Sequence, residues 1–474
     1  MSQSRRDFLK GTAWMGVAAM AAGSFAKDGV AAAAGAPMHG FAVPPIPVIR
    51  IGFIGIGSRG TAAVHRIAQI PGCQITAICD INPARLEAAR NWLKERGAPP
   101  AKEYGKTEDD WKRLCDTEDV DVIYSATPRP LHCPINVYAM DHGKHVMQEV
   151  PGVFNLDECW QTVEAAERNR RHCMMLENCA YGEYEMLAFN LVHKGMLGEI
   201  IQAEVGYSHD QRSLQYNPHD GVFWRIERHK THHGNYYPTH GLVPAGKCMN
   251  INRGDRFDYL VSMETKSASF ELYGRENFPE GDWRHTAKMV RGDVNVSLIR
   301  TVGGRTVQLT HNVCTPRPYS RGGVLMGTKG IFRAYPEYRV GFETKVGDGA
   351  AHSYFDAEKA ERIKEEYKHP FWKVAGEIAK KVGGHGGMDF IMDLRWVYCL
   401  QNGLPLDTDV YDLATYSSIV ELSEKSVNSR SAAIDFPDYT RGGWKTAKPF
   451  VVDEIDISKF RFDNLAKDKD AQSV

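Results

Sequence analysis

Apolar residues in the first third of the chain fall into short β-branched runs separated by stretches of helical period. Val48-Ile-Arg-Ile-Gly-Phe-Ile54, Gln74–Cys79, Asp119–Ser125, Lys144–Glu149 and a run near residue 173 read as strands. Between them, Ala62, Ala63, Ile67 and Ile70 recur at helical spacing, a helix begins near His132-Cys-Pro, and Leu156–Arg170 reads as an amphipathic helix. Strictly alternating strands and helices predict an α/β fold around a doubly wound parallel sheet. Beyond residue 196 the period changes to two. Ile200–Tyr207, Ser267–Tyr273 and Thr306–His311 predict strands of a second, open sheet with one wet face, and Met388–Gly403 and Asp409–Asn428 read as helices on its other side.

Length and composition then narrow the class. A chain of 474 residues, 43% hydrophobic and 25% charged, supports two or three domains and excludes a miniprotein or a disordered chain. With 58 basic and 59 acidic residues there is no global field to attract nucleic acid or an anionic membrane, so a neutral small molecule is the expected partner. The 10 cysteines include no C-x-x-C pair, so neither a zinc ribbon nor a disulfide framework is expected.

The N-terminus carries an address. Ser4-Arg-Arg-Asp-Phe-Leu-Lys10, followed by the apolar run Gly11–Ala22, is too short for a membrane span and reads as a twin-arginine export signal. The expected organisation is a signal at 1–34, a Pro-rich linker at 35–47, a nucleotide domain at 48–175, a substrate domain at 176–450 and a tail at 451–474. Periplasmic location, contact with the twin-arginine export machinery and no stable membrane insertion of the mature form follow as expectations.

Gly55-Ile-Gly57-Ser-Arg-Gly60 sits between the first strand and the first helix. Gly55 permits the tight turn, Gly57 lets a pyrophosphate approach the backbone, and Gly60 lets helix and strand pack closely, the pattern of a Rossmann dinucleotide site. Asp80, at the end of the second strand, is placed to accept hydrogen bonds from ribose hydroxyls, which favours NAD over NADP. The alternative is a plain glycine turn with a capping aspartate.

Glu149-Val150-Pro151, Glu177-Asn178-Cys-Ala-Tyr181, Trp224-Arg225, Gly234-Asn-Tyr-Tyr237-Pro-Thr-His240-Gly, Asn250–Asp255, Thr315-Pro-Arg-Pro-Tyr319-Ser-Arg and Gly384-His385-Gly-Gly-Met-Asp-Phe390 form an ordered set. The order resembles the glucose-fructose oxidoreductase and inositol dehydrogenase superfamily, and the blocks resemble glycoside hydrolase family 109 within it. That resemblance implies a C-terminal α/β domain with a large, mostly antiparallel sheet as a sugar platform, NAD as cofactor, and cleavage of α-N-acetylgalactosaminides. It places cofactor contacts on Ser58, Arg59, Asp80, the Arg129–His132 loop, Glu149, Val150 and Asn178, and sugar contacts on Tyr207, Arg225, Tyr237, His240 and Tyr319. One departure stands out: Thr127-Pro-Arg129-Pro-Leu131-His132 replaces a tryptophan-bearing stretch of the family.

An NAD-dependent glycosidase oxidises C3 of the sugar, which makes the C2 proton acidic. A base removes it, the glycosidic oxygen leaves, water adds, and the ketone is reduced again. Such a cycle needs proton-transfer groups and no metal. Tyr237 and His240 are the expected shuttles, with Tyr181 a further candidate for base or leaving-group acid and His385, between glycine pairs, a candidate substrate contact. Core packing of Tyr237 and helix capping by His240 remain as alternatives. The spacing of His229, His232, His233 and His240 matches no zinc pattern, so no metal is expected. A sugar or cyclitol dehydrogenase releasing NADH, and a non-enzymatic sugar- or NADH-binding sensor, are the competing readings. A homo-oligomer, with a dimer as the candidate form, is the expected assembly.

Overall fold

A computed structural model describes residues 36–219, 222–343 and 353–449. The expected signal and most of the expected tail lie outside these residues. Strands β1 (Ile49–Ile54), β2 (Cys73–Cys79), β3 (Lys102–Tyr104), β4 (Val122–Ser125), β5 (His145–Glu149) and β6 (Cys173–Leu176) form one sheet in the order β3-β2-β1-β4-β5-β6. All its pairs are parallel. This is the doubly wound arrangement, whose crossover point lies between β1 and β4 at the carboxyl edge. Ile51, Phe53, Val122, Ile123, Val146 and Met147 are fully buried, as a sheet covered on both faces requires. Strand β3 escaped the hydrophobic pattern because Lys-Glu-Tyr at an edge has no buried residue to announce it.

Local chemistry sets the helix ends. Asn82 Oδ1 accepts the Ala84 N–H at 3.0 Å before the helix Pro83–Glu95, and Asn155 Oδ1 accepts the Glu158 N–H at 2.8 Å before Leu156–Asn169. Arg170, with φ +51°, ends the latter in the left-handed region.

The second sheet contains β7 (Ile200–Ser208), β8 (Phe257–Glu264), β9 (Val294–Thr301), β10 (Thr306–Asn312), β11 (Val324–Gly327), β12 (Gly330–Arg333), β13 (Arg339–Phe342) and β14 (Ile434–Asp435). Its order is β13-β12-β11-β7-β10-β9-β8-β14, antiparallel throughout except for the parallel pair β7 and β10. In β9, Asn295, Ser297, Ile299 and Thr301 are buried while Leu298 and Arg300 are exposed, so one face is wet. The stretch expected as a strand at Ser267–Tyr273 is instead the helix Ser269–Asn277. A residue distant in sequence decides it: the Asp293 carboxylate accepts the Ala268, Ser269 and Phe270 N–H groups at 2.9, 2.7 and 3.1 Å. Three orphan donors satisfied by one carboxylate start a helix that the alternation of side chains does not show.

The C-terminal helices return to the first sheet. Met388–Asn402 packs against β1 and the helix Ser58–Ile67 that follows the glycine turn, and Val410–Ser417 packs against Leu156–Asn169 and β6. The expected single helix at 409–428 is two, Val410–Ser417 and Ile419–Asn428, and the first opens on a capping box between Asp409 and Asp412. The residues expected as a linker are docked: Met38 is buried, its N–H reaches the Tyr411 hydroxyl at 3.1 Å, and the Ile46 N–H donates to Leu400 O at 2.9 Å. All ten cysteines are free thiols and nine are buried.

The helix Thr239–Cys248 lies on β7. A Cβ on Gly241 would stand 2.4 Å from Gly206 N and 2.6 Å from Gly206 O, so glycine is what lets this helix touch the strand that carries Tyr207. Gly241→Ala is expected to cost about 3 kcal/mol, the upper range for overpacking, measured as a lower midpoint in urea unfolding.

Candidate active site

The glycine turn is shaped for a phosphate-bearing ligand. Gly55 has φ +84°, and a Cβ there would lie 2.8 Å from Ala126 O. A Cβ on Gly60 would lie 1.9 Å from Gly55 O, whereas at Gly57 it would meet nothing nearer than the Arg85 guanidinium at 3.5 Å. Gly55 and Gly60 are therefore needed for close packing, while Gly57 leaves room in front of the turn. The helix Ser58–Ile67 has no side-chain cap, so its first N–H groups are left for an anion. Asp80 Oδ2 accepts the Ile56 N–H at 2.9 Å and Oδ1 accepts the Asn82 N–H at 2.8 Å, which aims the carboxylate at the turn. These residues fit a dinucleotide.

Behind the turn lies a network of charges. Arg59 donates to Glu149 Oε1 at 3.0 Å and to Asp389 Oδ2 at 2.9 Å, and Tyr124 donates to the same Glu149 oxygen at 2.9 Å. Asn178 Nδ2 donates to Asp389 Oδ1 at 2.6 Å, and His385 Nδ1 lies 3.0 Å from Asp389 Oδ2. Burial alone would raise the Asp389 pKa, but the Arg59 and Arg66 guanidiniums hold it well below the usual carboxylate range. Asp393, bonded to Arg66 Nε at 2.8 Å, is pushed up by burial to about 6. His385, expected among the sugar contacts, thus stands with the Arg59 and Asp389 cluster behind the glycine turn. Its place follows from Asp389, one turn along the next helix.

Two other expectations need correction. Arg129 is buried and its guanidinium is spent on main-chain carbonyls: Nε on Gly152 O at 3.2 Å, Nη2 on Pro151 O at 3.3 Å and on Val153 O, and Nη1 on Tyr236 O. His132 sets Nδ1 against Gly152 O at 2.9 Å and Nε2 against Thr127 O at 3.0 Å. Burial pushes its pKa down to about 4, so the ring is neutral and structural. Neither side chain is free to meet a cofactor. Val150 is half-buried beside them.

The expected sugar side forms a single aromatic cluster. The Tyr207 ring lies 4.8 Å from Tyr237 and 4.7 Å from His240, and Tyr237 and His240 are 4.8 Å apart. Gln211 Nε2 donates to the Tyr207 hydroxyl at 2.8 Å, and His209 Nε2 lies 2.9 Å from the same oxygen. Burial pushes His209 down to about 4, so its neutral ring can accept the Tyr207 proton and that phenol is fully engaged. The Tyr237 hydroxyl has no hydrogen-bond partner among the described residues, and burial raises its pKa well above the ordinary value. Arg225 lies close enough to oppose that rise at Tyr207 and Tyr237, and its Nε has no hydrogen-bond partner among the described residues. Tyr319, packed 5.2 Å from His209, accepts from Arg321 Nη1 at 2.9 Å and borders the cluster.

Glu177 was missed as a member of the site. Its Oε1 faces His240 Nδ1 at 2.7 Å and accepts the Cys179 N–H at 3.1 Å. Burial would raise its pKa, but the charge and hydrogen bond of His240 bring it below the ordinary value. Its position was the available signal: it directly follows β6, at the carboxyl edge where such sheets meet ligands.

Tyr181 is not brought to this cluster. Its hydroxyl donates to Asp407 Oδ2 at 3.1 Å, its carbonyl accepts the Trp372 indole N–H at 2.9 Å, and Lys247 Nζ lies 4.6 Å from its ring. These bonds fix it among helices. The four histidines also diverge: His229 is buried near Tyr236, His232 meets Thr231, His233 pairs with Glu264 and His240 with Glu177. Among the described residues, Glu177, Cys179 and His240 have donor atoms within 4.8 Å of one another. Burial raises the Cys179 pKa far above its ordinary value.

Known proteins match both halves. Residues 181–446 match the model of the glycosyl hydrolase 109 C-terminal domain. The chain belongs to glycosyl hydrolase family 109. Residues 49–177 match the oxidoreductase family with an NAD-binding Rossmann fold, and NAD is the cofactor. Glycosyl hydrolase family 109 proteins of Solibacter usitatus and Shewanella pealeana are 43% and 41% identical, over 94% and 95% of this chain and 99% of each relative. A levoglucosan dehydrogenase in complex with NADH and levoglucosan shares the fold, with a TM-score of 0.61 at 18% identity over 82% of this chain and 100% of that one. The protein is thus a glycosidase with an NAD-binding domain. No helix among the described residues is long and apolar enough to cross a membrane.

Asp80 also faces a cation, with Arg85 Nη1 3.6 Å from Oδ2. Asp80→Ala removes the charge that repels a 2′-phosphate and leaves Arg85 to meet one. The ratio of NAD to NADP affinity is expected to fall by about 10-fold or more, about 1.4 kcal/mol, measured by titrating the cofactor-stripped protein with each dinucleotide.

Proposed function

We propose that this glycosidase cleaves α-N-acetylgalactosaminides by transient oxidation at C3, with proton transfer at C2 carried by His240. One observation supports this most: the adjacent residues Glu177 and Asn178 reach into the two halves of the site, Glu177 to His240 and Asn178 to Asp389 behind the glycine turn. When bound, NAD supplies a reversible hydride acceptor for C3. The turn at Gly55–Gly60 and Asp80 would hold it.

His240 commits Nδ1 to a buried carboxylate, which orients the ring and leaves Nε2 for the proton made acidic by the neighbouring ketone. Tyr237, with a raised pKa and an unpaired hydroxyl, stays protonated and serves as the donor to the departing glycosidic oxygen. The neutral His209 and Gln211 pin Tyr207 as a wall for the sugar ring, and Arg225 supplies donors to its hydroxyl or acetamido oxygens. We further propose export through the twin-arginine route on the strength of Ser4–Lys10.

An aryl α-N-acetylgalactosaminide is expected to release its phenol without added NAD and without a lasting rise at 340 nm, and deuterium at C2 is expected to exchange into solvent. Accumulating NADH, or retention of the C2 deuterium, would overturn this mechanism. His240→Ala is expected to lower kcat by about 10³-fold and Tyr237→Phe by about 10²-fold, with dinucleotide content unchanged. For export, replacing Arg5 and Arg6 by lysine is expected to leave the protein in the cytoplasmic fraction.

A further inference from the structure

Arg129 is buried, yet it has no carboxylate within salt-bridge distance among the described residues. Burial lowers its pKa, and four carbonyl dipoles are what keep the charge in place. Those carbonyls come from two separate segments. Pro151, Gly152 and Val153 belong to the loop that leaves β5 just after Glu149, which holds Arg59 at the glycine turn. Tyr236 belongs to the segment that carries Tyr237 and leads into His240.

The plane of the guanidinium is also fixed from below. Its Cζ lies 4.2 Å from the Phe154 ring centroid, and Arg228 Cζ lies 5.1 Å from the same centroid. Arg228 in turn is anchored on Glu424 at 3.3 Å. A hydrophobic residue could fill this volume, but it could not hold the carbonyl of Tyr236, and that carbonyl belongs to the peptide unit that leads into Tyr237. Lysine has one charged centre and cannot span carbonyls on both segments in a plane.

We propose that Arg129 is a positioning residue that staples the cofactor-side loop 149–154 to the proton-transfer segment 236–240 and so sets their separation. Its donors go to main-chain carbonyls, so its role is carried through those two segments. The catalytic consequence rests on the reading under "Proposed function"; the staple itself does not.

The test compares Arg129→Met and Arg129→Lys with the unaltered protein. Amide hydrogen exchange in 150–154 and in 236–240 is expected to speed up together, by about 10-fold or more in Arg129→Met, while exchange in β1 and β4 stays the same. With the aryl glycoside, kcat is expected to fall by at least about 30-fold while KM and bound NAD change by less than about threefold, and Arg129→Lys is expected to recover little. Unchanged exchange in the two segments would overturn the staple. Loss of bound NAD with normal exchange would overturn it too and make Arg129 a cofactor residue. If Arg129→Met does not fold, the same comparison in Arg129→Lys decides. If the unaltered protein cleaves no glycoside, the glycosidase mechanism fails alone, and exchange still settles the staple.

Discussion

Two neighbouring side chains at the end of β6 hold the site in one piece. Glu177 takes the imidazole of His240, and Asn178 takes Asp389, whose other oxygen meets Arg59 behind the glycine turn. A buried carboxylate without partners is among the costliest objects a fold can contain, and breaking a buried pair typically costs about 3–5 kcal/mol. The two domains are therefore joined at the chemistry itself. Any movement that separated the phenols from the glycine turn would break the bonds made on both sides of one peptide bond.

The same economy of charge recurs elsewhere in the fold. Asp389 and Asp393 on the helix Met388–Asn402 face Arg59 and Arg66 on the helix after the glycine turn. Asp293 closes the start of the helix Ser269–Asn277. Arg129 reaches across with carbonyls alone. Beside the aromatic cluster, Arg225 Nε has no hydrogen-bond partner among the described residues.

Much of this was legible in the chain. The parallel sheet announced itself through uninterrupted β-branched runs, and the turn through three glycines at the right spacing. Tyr207, Tyr237, His240 and Tyr319 lie in one aromatic cluster with Arg225 near it, residues that stand in separate blocks of the sequence. What escaped notice shares a cause, namely that it depends on contacts distant in sequence. Asp293 converts an alternating stretch to helix from beyond the stretch itself. Asp407 draws the Tyr181 hydroxyl away from the cluster. The direction in which Arg129 points depends on carbonyls, which every residue has and no pattern reveals. Strand β3 is a separate case, too short and too exposed to leave a hydrophobic signature.

The ten free thiols carry a consequence of their own. Burial raises the pKa of Cys115, Cys133, Cys159, Cys173, Cys248 and Cys314, which leaves them protonated and unreactive. With no crosslink to make or lose, the native shape is indifferent to the redox potential around it. The same conformation can persist in reducing and in oxidising surroundings, with no disulfide to form for it to mature.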